Sequence, residues 1–385
     1  DGGGMKGYAM IAIAEVFHEK CEGLSFLHQF DLIVGTSTGG IAALICNLSN
    51  NSEEAFAEAK NLLDEARTNS FTTFNLKDMI MKGSASRETM LDILKKRYGD
   101  DVPLYNPDGI PACAVCIARE IDNALGNEKN TCKSNYEPFI LRTYDYPSDN
   151  ASSTCNSSSE EVIINNNANG FISSDDSGTD APSSLARTSH SLARSESSTS
   201  LIDAMASTSA VPFLFDRIRV SIDGGRCLLF ADGSCQSNTP VAIAFDEASR
   251  LYGDRPIGTF LSIGASTCEN DHANHAVDLM RKVHPNLHFQ RVAPDISNLL
   301  AIETDKRKLN VMEERVRTYM RDEVVGSEEF EKTIKRLMAS DRSQRQAKSQ
   351  IPSFVKKLDV ARQLNIQIQS TQNGCCPKGS TKKNQ

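Results

Sequence analysis

The run Gly35-Thr36-Ser37-Thr38-Gly39-Gly40 constrains this 385-residue chain more than any other stretch. An apolar segment, Phe30 to Val34, leads into it, and a second with helical character, Ile41 to Cys46, leaves it. A strand that turns abruptly into a helix at Gly-x-Ser-x-Gly holds its serine in a strained backbone conformation and offers the hydroxyl at the end of a sheet. The flanking Gly35 and Gly39 fit because strand and helix pass too close there for a side chain. Ser37 is therefore a candidate nucleophile. The five-residue pattern is short and also fits a Ser/Thr/Gly loop between two elements, so its support must come from elsewhere in the chain.

The chain opens with Asp1-Gly2-Gly3-Gly4-Met5-Lys6-Gly7. Tyr8 to Lys20 then reads as an amphipathic helix with Met10, Ile11, Ile13, Ala14 and Phe17 on its apolar stripe. A glycine-rich turn at a helix N-terminus cradles anions, because its N–H groups lack helical partners and the helix dipole favours negative charge there. Two anions suit it: a nucleotide phosphate, or the oxyanion formed when a serine attacks an ester carbonyl. The spacing satisfies G-x-G-x-x-G, but Asp31 begins its strand where a dinucleotide fold needs an acidic residue ending one. No Gly-Lys-Ser/Thr closes a P-loop either. With a serine elbow following at once, the oxyanion reading fits best.

Strand-like runs at Ala112 to Ile121, Pro138 to Tyr144 and Ile257 to Ile263 alternate with helix-like runs at Ser52 to Arg67, Arg87 to Tyr98 and Val241 to Tyr252. That alternation predicts an α/β fold with a mainly parallel sheet covered on both faces. From 147 to 200 the composition shifts to Ser, Asn, Asp and Thr with no apolar period, which predicts a disordered insertion. Runs at Ile296 to Ile302, Lys306 to Arg321, Ser327 to Met338 and Ile351 to Leu364 predict a helical C-terminal region over 269–370, and 371–385 is a polar tail. A net charge of −8 gives no support to a nucleic-acid binder, and no apolar run approaches the roughly 20 residues of a membrane span. Any membrane contact is then peripheral. The eleven scattered cysteines do not read as a disulfide framework, which favours an intracellular setting, cytoplasmic or on a membrane surface. Cys113 and Cys116 form the one C-x-x-C, without a second pair at zinc-site spacing, and read as buried strand residues.

A serine hydroxyl needs a positioned base. One option is a triad in the order Ser37, Asp232 and a histidine among His272, His275, His284 and His288, none of which directly follows a well-marked strand. The other is a carboxylate alone. Asp223 sits in Asp223-Gly224-Gly225 between two apolar strands and is explained by a hairpin turn. Asp232 instead closes a buried strand ahead of Gly233, a small-residue loop and a helix, which presents its carboxylate at the end of the sheet.

Four stretches in order resemble the patatin-like phospholipase domain family. They are Asp1 to Gly7 (D-G-G-G-x-K-G), Gly35 to Gly40, Ala206 to Phe213, and Asp232 to Pro240 (D-G-x-x-x-x-N-x-P). The resemblance covers about residues 1–265, with the domain drawn over 1–268, and Phe30-Asp31 and Arg142-Thr143-Tyr144 look like the animal intracellular phospholipase A2 branch. It implies a three-layer fold with a Ser-Asp dyad, Ser37 as nucleophile and Asp232 as proton acceptor. Gly2, Gly3 and Gly4 would form the oxyanion hole, while Gly7, Gly35, Gly39 and Gly233 would be motif glycines. It also implies Ca²⁺-independent cleavage of phospholipid acyl esters at a membrane surface, with no metal and no cofactor. Ser234 departs from the family's usual glycine or alanine, and the strand that should feed Asp1 is absent, so the chain is expected to lack its native N-terminus. A triad lipase acting on neutral lipids and a catalytically silent lipid-binding relative are the alternatives.

Overall fold

The computed structural model describes residues 1–71, 85–120, 136–146, 199–212, 215–222, 226–253, 255–264, 274–275, 277–278, 281–282, 284–296 and 298–339. Two compact units divide the chain, Asp1–Tyr146 with Arg194–Gln385, and Pro147–Ala193. All of the second lies outside the described residues, as do most of the expected 147–200 insertion, the helix expected at Ile351 to Leu364, and the polar tail. Thr199 and Ser200, at the end of that insertion, are ordinary structure: Thr199 O accepts from Leu104 N, and Ser200 caps the next helix.

Strand β1 (Leu32–Thr36) runs parallel to β2 (Ala112–Glu120). Strands β3 (Tyr136–Arg142) and β5 (Arg226–Asp232) lie antiparallel to β2, and β4 (Ile218–Ile222) lies antiparallel to β5. A second sheet pairs β6 (Thr259–Ile263) with β7 (His288–Val292) in parallel. The sheet expected to be mainly parallel is thus mixed: of the pairings in the five-stranded sheet only β1–β2 is parallel. The β4–β5 hairpin is antiparallel by construction, and it feeds β5 along β2 from the opposite end to β1.

The register has a consequence for everything else. β3 spans Ala114 to Glu120 of β2, overlapping both the stretch paired with β1 (Ala112 to Cys116) and that paired with β5 (Ile117 to Arg119). A strand has two edges, so β3 takes one and β1 and β5 share the other, end to end. Their C-terminal ends meet head-on, with Thr36 opposite Cys116 and Asp232 opposite Ile117.

Helices cover both faces. Helix α1 (Gly7–Lys20) is buried on nearly all sides, from Tyr8 to Phe17. The single apolar stripe expected there is exceeded because α2 (Thr38–Leu48), α3 (Ser52–Ala66), β6 and α7 (Lys306–Tyr319) all pack on it. Helix α4 (Ala85–Tyr98) contacts α5 (Leu201–Thr208), and α5 lies on β2, β4 and β5. A Cβ on Gly40 of α2 would press on Val115, so α2 lies on that face of β2. Helix α6 (Val241–Tyr252) takes the other face: Arg142, which shares a face with its partner Ala114, binds Glu247 of α6.

Glu247 locks that layer. Only 1% exposed, it accepts from Arg142 Nε (2.7 Å) and Nη2 (2.6 Å), Tyr144 Oη (2.7 Å) and Tyr146 Oη (2.8 Å). Burial alone raises a carboxyl pKa, but Arg142 and the two tyrosines outweigh it and hold Glu247 below the ordinary glutamate value.

Among the described residues after 268, β7 pairs with β6, α7 packs on α1, and α8 (Glu328–Ala339) packs on β6 and β7. The helix expected at Ile296 to Ile302 is irregular chain wherever it is described.

Candidate active site

Ser37 links β1 to α2 with φ of 54° and ψ of −127°, a left-handed conformation that costs a non-glycine residue on the order of 1–3 kcal/mol unless its surroundings enforce it. The surroundings do. Ser37 N–H donates to Thr208 Oγ1 (2.8 Å), and the Thr208 hydroxyl donates to Cys116 O (2.9 Å), which ties the elbow to β2. Thr36 Oγ1 donates to Ser237 O (2.8 Å). A Cβ on Gly35 would collide with the backbone of Gly39 and Gly40, and one on Gly39 with the backbone of Asp1. Both glycines are thus demanded by close approach.

Asp232 reaches the same place from β5. It is fully buried, and its N–H donates to Ala210 O (2.9 Å). Gly233 sits against the Cys116 carbonyl so closely that a side chain would not fit. One carboxylate oxygen, Oδ1, accepts from Ser234 N (2.7 Å), while Oδ2 is buried with no hydrogen-bond partner. Burial therefore pushes the Asp232 pKa above the ordinary aspartate value, against the opposing pull of the Ser234 N–H, the Ser234 hydroxyl and the Ser37 hydroxyl. The head-on ends of β1 and β5 bring Ser37, which follows Thr36, next to Asp232, and the orphaned oxygen gives the carboxylate room for a proton. Ser234, the departure from the usual glycine or alanine, supplies an additional donor.

The glycine turn closes the site. A Cβ on Gly2 would meet Ser37 Cβ at 3.2 Å. Of the three glycines expected to bind the oxyanion, Gly2 donates its N–H to Asn238 O (3.0 Å). The N–H groups of Gly3 and Gly4 have no acceptor among the described residues, nor does that of Thr38 at the first turn of α2. Gly4 adopts φ of +56°, a left-handed value suited to glycine, and its carbonyl accepts from Thr38 Oγ1 (3.0 Å). Met5 N–H is bound to Ala301 O (2.7 Å). Gly7 lies against Thr38 and Leu63, where a side chain would separate α1 from α2 and α3.

The histidines of the triad alternative sit elsewhere where they are described. His284 packs edge-on against Phe245, His288 donates through Nε2 to Thr333 (2.7 Å), and His275 is exposed. None is among the groups acting on Asp232. His272 and Asp223 lie outside the described residues. Ser25 Oγ lies 2.7 Å from His28 Nδ1, and the pair also engages Ser49 O and Ser52 Oγ, which fastens the start of α3. Cys113 and Cys116 are three apart in a strand and therefore point to opposite faces of β2. Burial pushes the Cys116 thiol up to about 12. Among the described residues no cluster of His, Cys, Asp and Glu is arranged to hold a metal, and no helix is long and apolar enough to cross a membrane.

A largely apolar cavity of about 930 Å³ adjoins Ser37, Gly3 and Gly4, and runs along both β1 and β6. Sequence reasoning missed three groups that shape the site. Thr208 is one, although its place in the small-residue run Ala206 to Phe213 was a signal. The others are Ala301 and, on β7, Arg291, which nothing in their local sequence distinguishes.

The family model for patatin-like phospholipases matches residues 1–245. Phospholipase A I of Arabidopsis thaliana is 25% identical over 295 residues, a stretch covering 69% of this chain and 20% of that protein. The chain thus corresponds to about a fifth of that relative's length.

Proposed function

The chain belongs to the patatin-like phospholipase family, a family of lipid acyl hydrolases, and from that premise we propose that it is a Ca²⁺-independent phospholipase A2-type enzyme working through a Ser37–Asp232 dyad. The observation that carries this reading is the head-on meeting of β1 and β5 on β2, which puts a strained serine beside a buried aspartate whose Oδ2 is unpartnered.

In this mechanism Asp232 takes the Ser37 proton as the hydroxyl oxygen attacks the acyl carbonyl. The tetrahedral oxyanion is held by the N–H groups of Gly3 and Gly4, with that of Thr38 beside them at the positive end of α2. Collapse breaks the ester bond, Asp232 returns the proton to the leaving lysophospholipid alcohol, and the acyl group remains on Ser37. Asp232 then deprotonates a water that attacks the acyl-serine, and returns that proton to Ser37 Oγ as the acyl–oxygen bond breaks and the fatty acid leaves. The substrate is presented at a membrane surface.

The test is fatty-acid release from phosphatidylcholine vesicles in excess chelator. Wild-type turnover is expected to persist, and Ser37→Ala to lower it by about 10³-fold or more, as removal of a nucleophile does in serine hydrolases. Turnover that needs Ca²⁺, or that survives Ser37→Ala, removes the reading.

A further inference from the structure

Two of three consecutive glycines, Gly3 and Gly4, carry N–H groups assigned above to the oxyanion, and glycine loses more freedom on ordering than any other residue. Something outside the turn has to hold it. Its anchors include Asn238 O on Gly2 N–H, Thr38 Oγ1 on the Gly4 carbonyl, Ala301 O on Met5 N–H, and Arg291 on the Asp1 carboxylate.

The last of these joins two charged side chains. Arg291 Nη2 donates to Asp1 Oδ2 at 2.7 Å and Nη1 to Oδ1 at 3.4 Å, with the two side chains only 6% and 4% exposed. Nη1 also donates to Ser262 Oγ on β6 (2.7 Å), which fixes the guanidinium from a second strand. Gly264 closes over the pair: a Cβ there would meet Arg291 Nη2 at 2.6 Å and Asp1 Oδ2 at 2.9 Å. On its other side the Asp1 backbone packs against Gly39 of the elbow. Asp1 is therefore gripped between β7 and the residue two after Ser37, and the chain leaves it directly into Gly2, Gly3 and Gly4.

We propose that Arg291, which lies beyond the stretch matched by the family model, is a positioning residue that sets the oxyanion-binding glycine turn against Ser37 by its two-pronged grip on Asp1. This rests on the Ser37 reading given above. An Arg–carboxylate pair of this kind fixes orientation as well as distance, and a lysine, offering a point charge, reproduces only the distance. Loosening the turn degrades an interaction made to the oxyanion and not to the ground-state ester. The loss therefore falls on kcat and leaves KM.

The experiment compares wild type, Arg291→Lys, Arg291→Gln and Ser262→Ala as full chains. It measures the rate of Ser37 labelling by a fluorophosphonate, kcat and KM on a soluble p-nitrophenyl ester, and the thermal unfolding midpoint. Arg291→Gln is expected to lower kcat and labelling rate by about 10²-fold, on the scale of losing one oxyanion donor. Arg291→Lys should fall between it and wild type, and Ser262→Ala should lose several-fold with its unfolding midpoint well above the assay temperature. KM should stay within about twofold throughout, on the same reasoning. If Arg291→Gln does not fold, Ser262→Ala decides. Folded variants with wild-type kcat, or a loss confined to KM, overturn the positioning role while the Ser37 reading stands. A wild-type chain that neither labels at Ser37 nor turns over overturns both.

Discussion

Two buried carboxylates fifteen residues apart (247 − 232) show how this molecule separates holding from reacting. Glu247 is 1% exposed and Asp232 fully buried. Glu247 is surrounded by an arginine and two tyrosines that fill its acceptor positions, and its pKa falls. Asp232 accepts the Ser234 N–H on Oδ1 and leaves Oδ2 without a hydrogen-bond partner, and burial raises its pKa against the weaker pull of the Ser234 and Ser37 hydroxyls. Burial is common to both, so the difference lies in the donors. A saturated carboxylate is a clamp between layers, while an unsaturated one beside a hydroxyl is ready to accept a proton.

The largest expected effect tests the reactive half of this contrast. Asp232→Asn should lower turnover on a soluble ester by about 10²–10⁴-fold, the usual contribution of a general base, without lowering the thermal midpoint at neutral pH. The sign follows from linkage. A carboxyl whose folded pKa is raised favours the folded state below its unfolded pKa, and loses that contribution as pH rises through the folded value. Above the unfolded aspartate value this carboxyl therefore opposes folding, and the neutral amide removes that opposition. An Asp232→Asn protein that keeps its activity, or that unfolds, would break the comparison.

Arg142→Ala tests the other half. It strands a buried carboxylate and should cost about 3–5 kcal/mol in denaturant unfolding, the range for removing one partner of a buried ion pair. Glu247 has a lowered pKa, so its contribution is present above the unfolded glutamate value and lost as pH falls through the folded one. The wild-type advantage over Arg142→Ala should therefore shrink in acid, the reverse of the Asp232 case.

The smallest effect sharpens the contrast. The Ser234 hydroxyl favours the charged form of Asp232, so Ser234→Ala should move the acid limb of the kcat–pH profile to higher pH with little change in the plateau. A shift to lower pH would show that the donor count around Asp232 has been misread.

Much of the site was legible because local sterics write it into the sequence. Gly35, Gly39 and Gly233 stand where backbones of other segments press against them, and only glycine satisfies that pressure whatever the remainder of the fold does. Asp232 could be picked from Asp223 because it ends an apolar strand. What could not be read depends on partners chosen by the folded chain. That β1 and β5 meet end to end is a matter of register on β2 and leaves no mark in either strand. Strand β7 hid for a different reason: His288, Gln290 and Arg291 are buried polar residues made tolerable by Thr333 and Asp1, which lie 45, 43 and 290 positions away. Gly2 looked like its two neighbours until Asn238 O claimed its N–H.

The head-on junction at Cys116 and Ile117 also makes the chain a counting device. Side chains alternate along a strand, so one residue gained or lost within β5 ahead of Asp232 turns that carboxylate toward the α6 side of the sheet while Ser37 stays put. Substitutions at most β5 positions change only packing, but a single-codon insertion there rotates the acid away from the alcohol. The spacing from Arg226 to Asp232 should therefore be far less tolerant of length change than of composition.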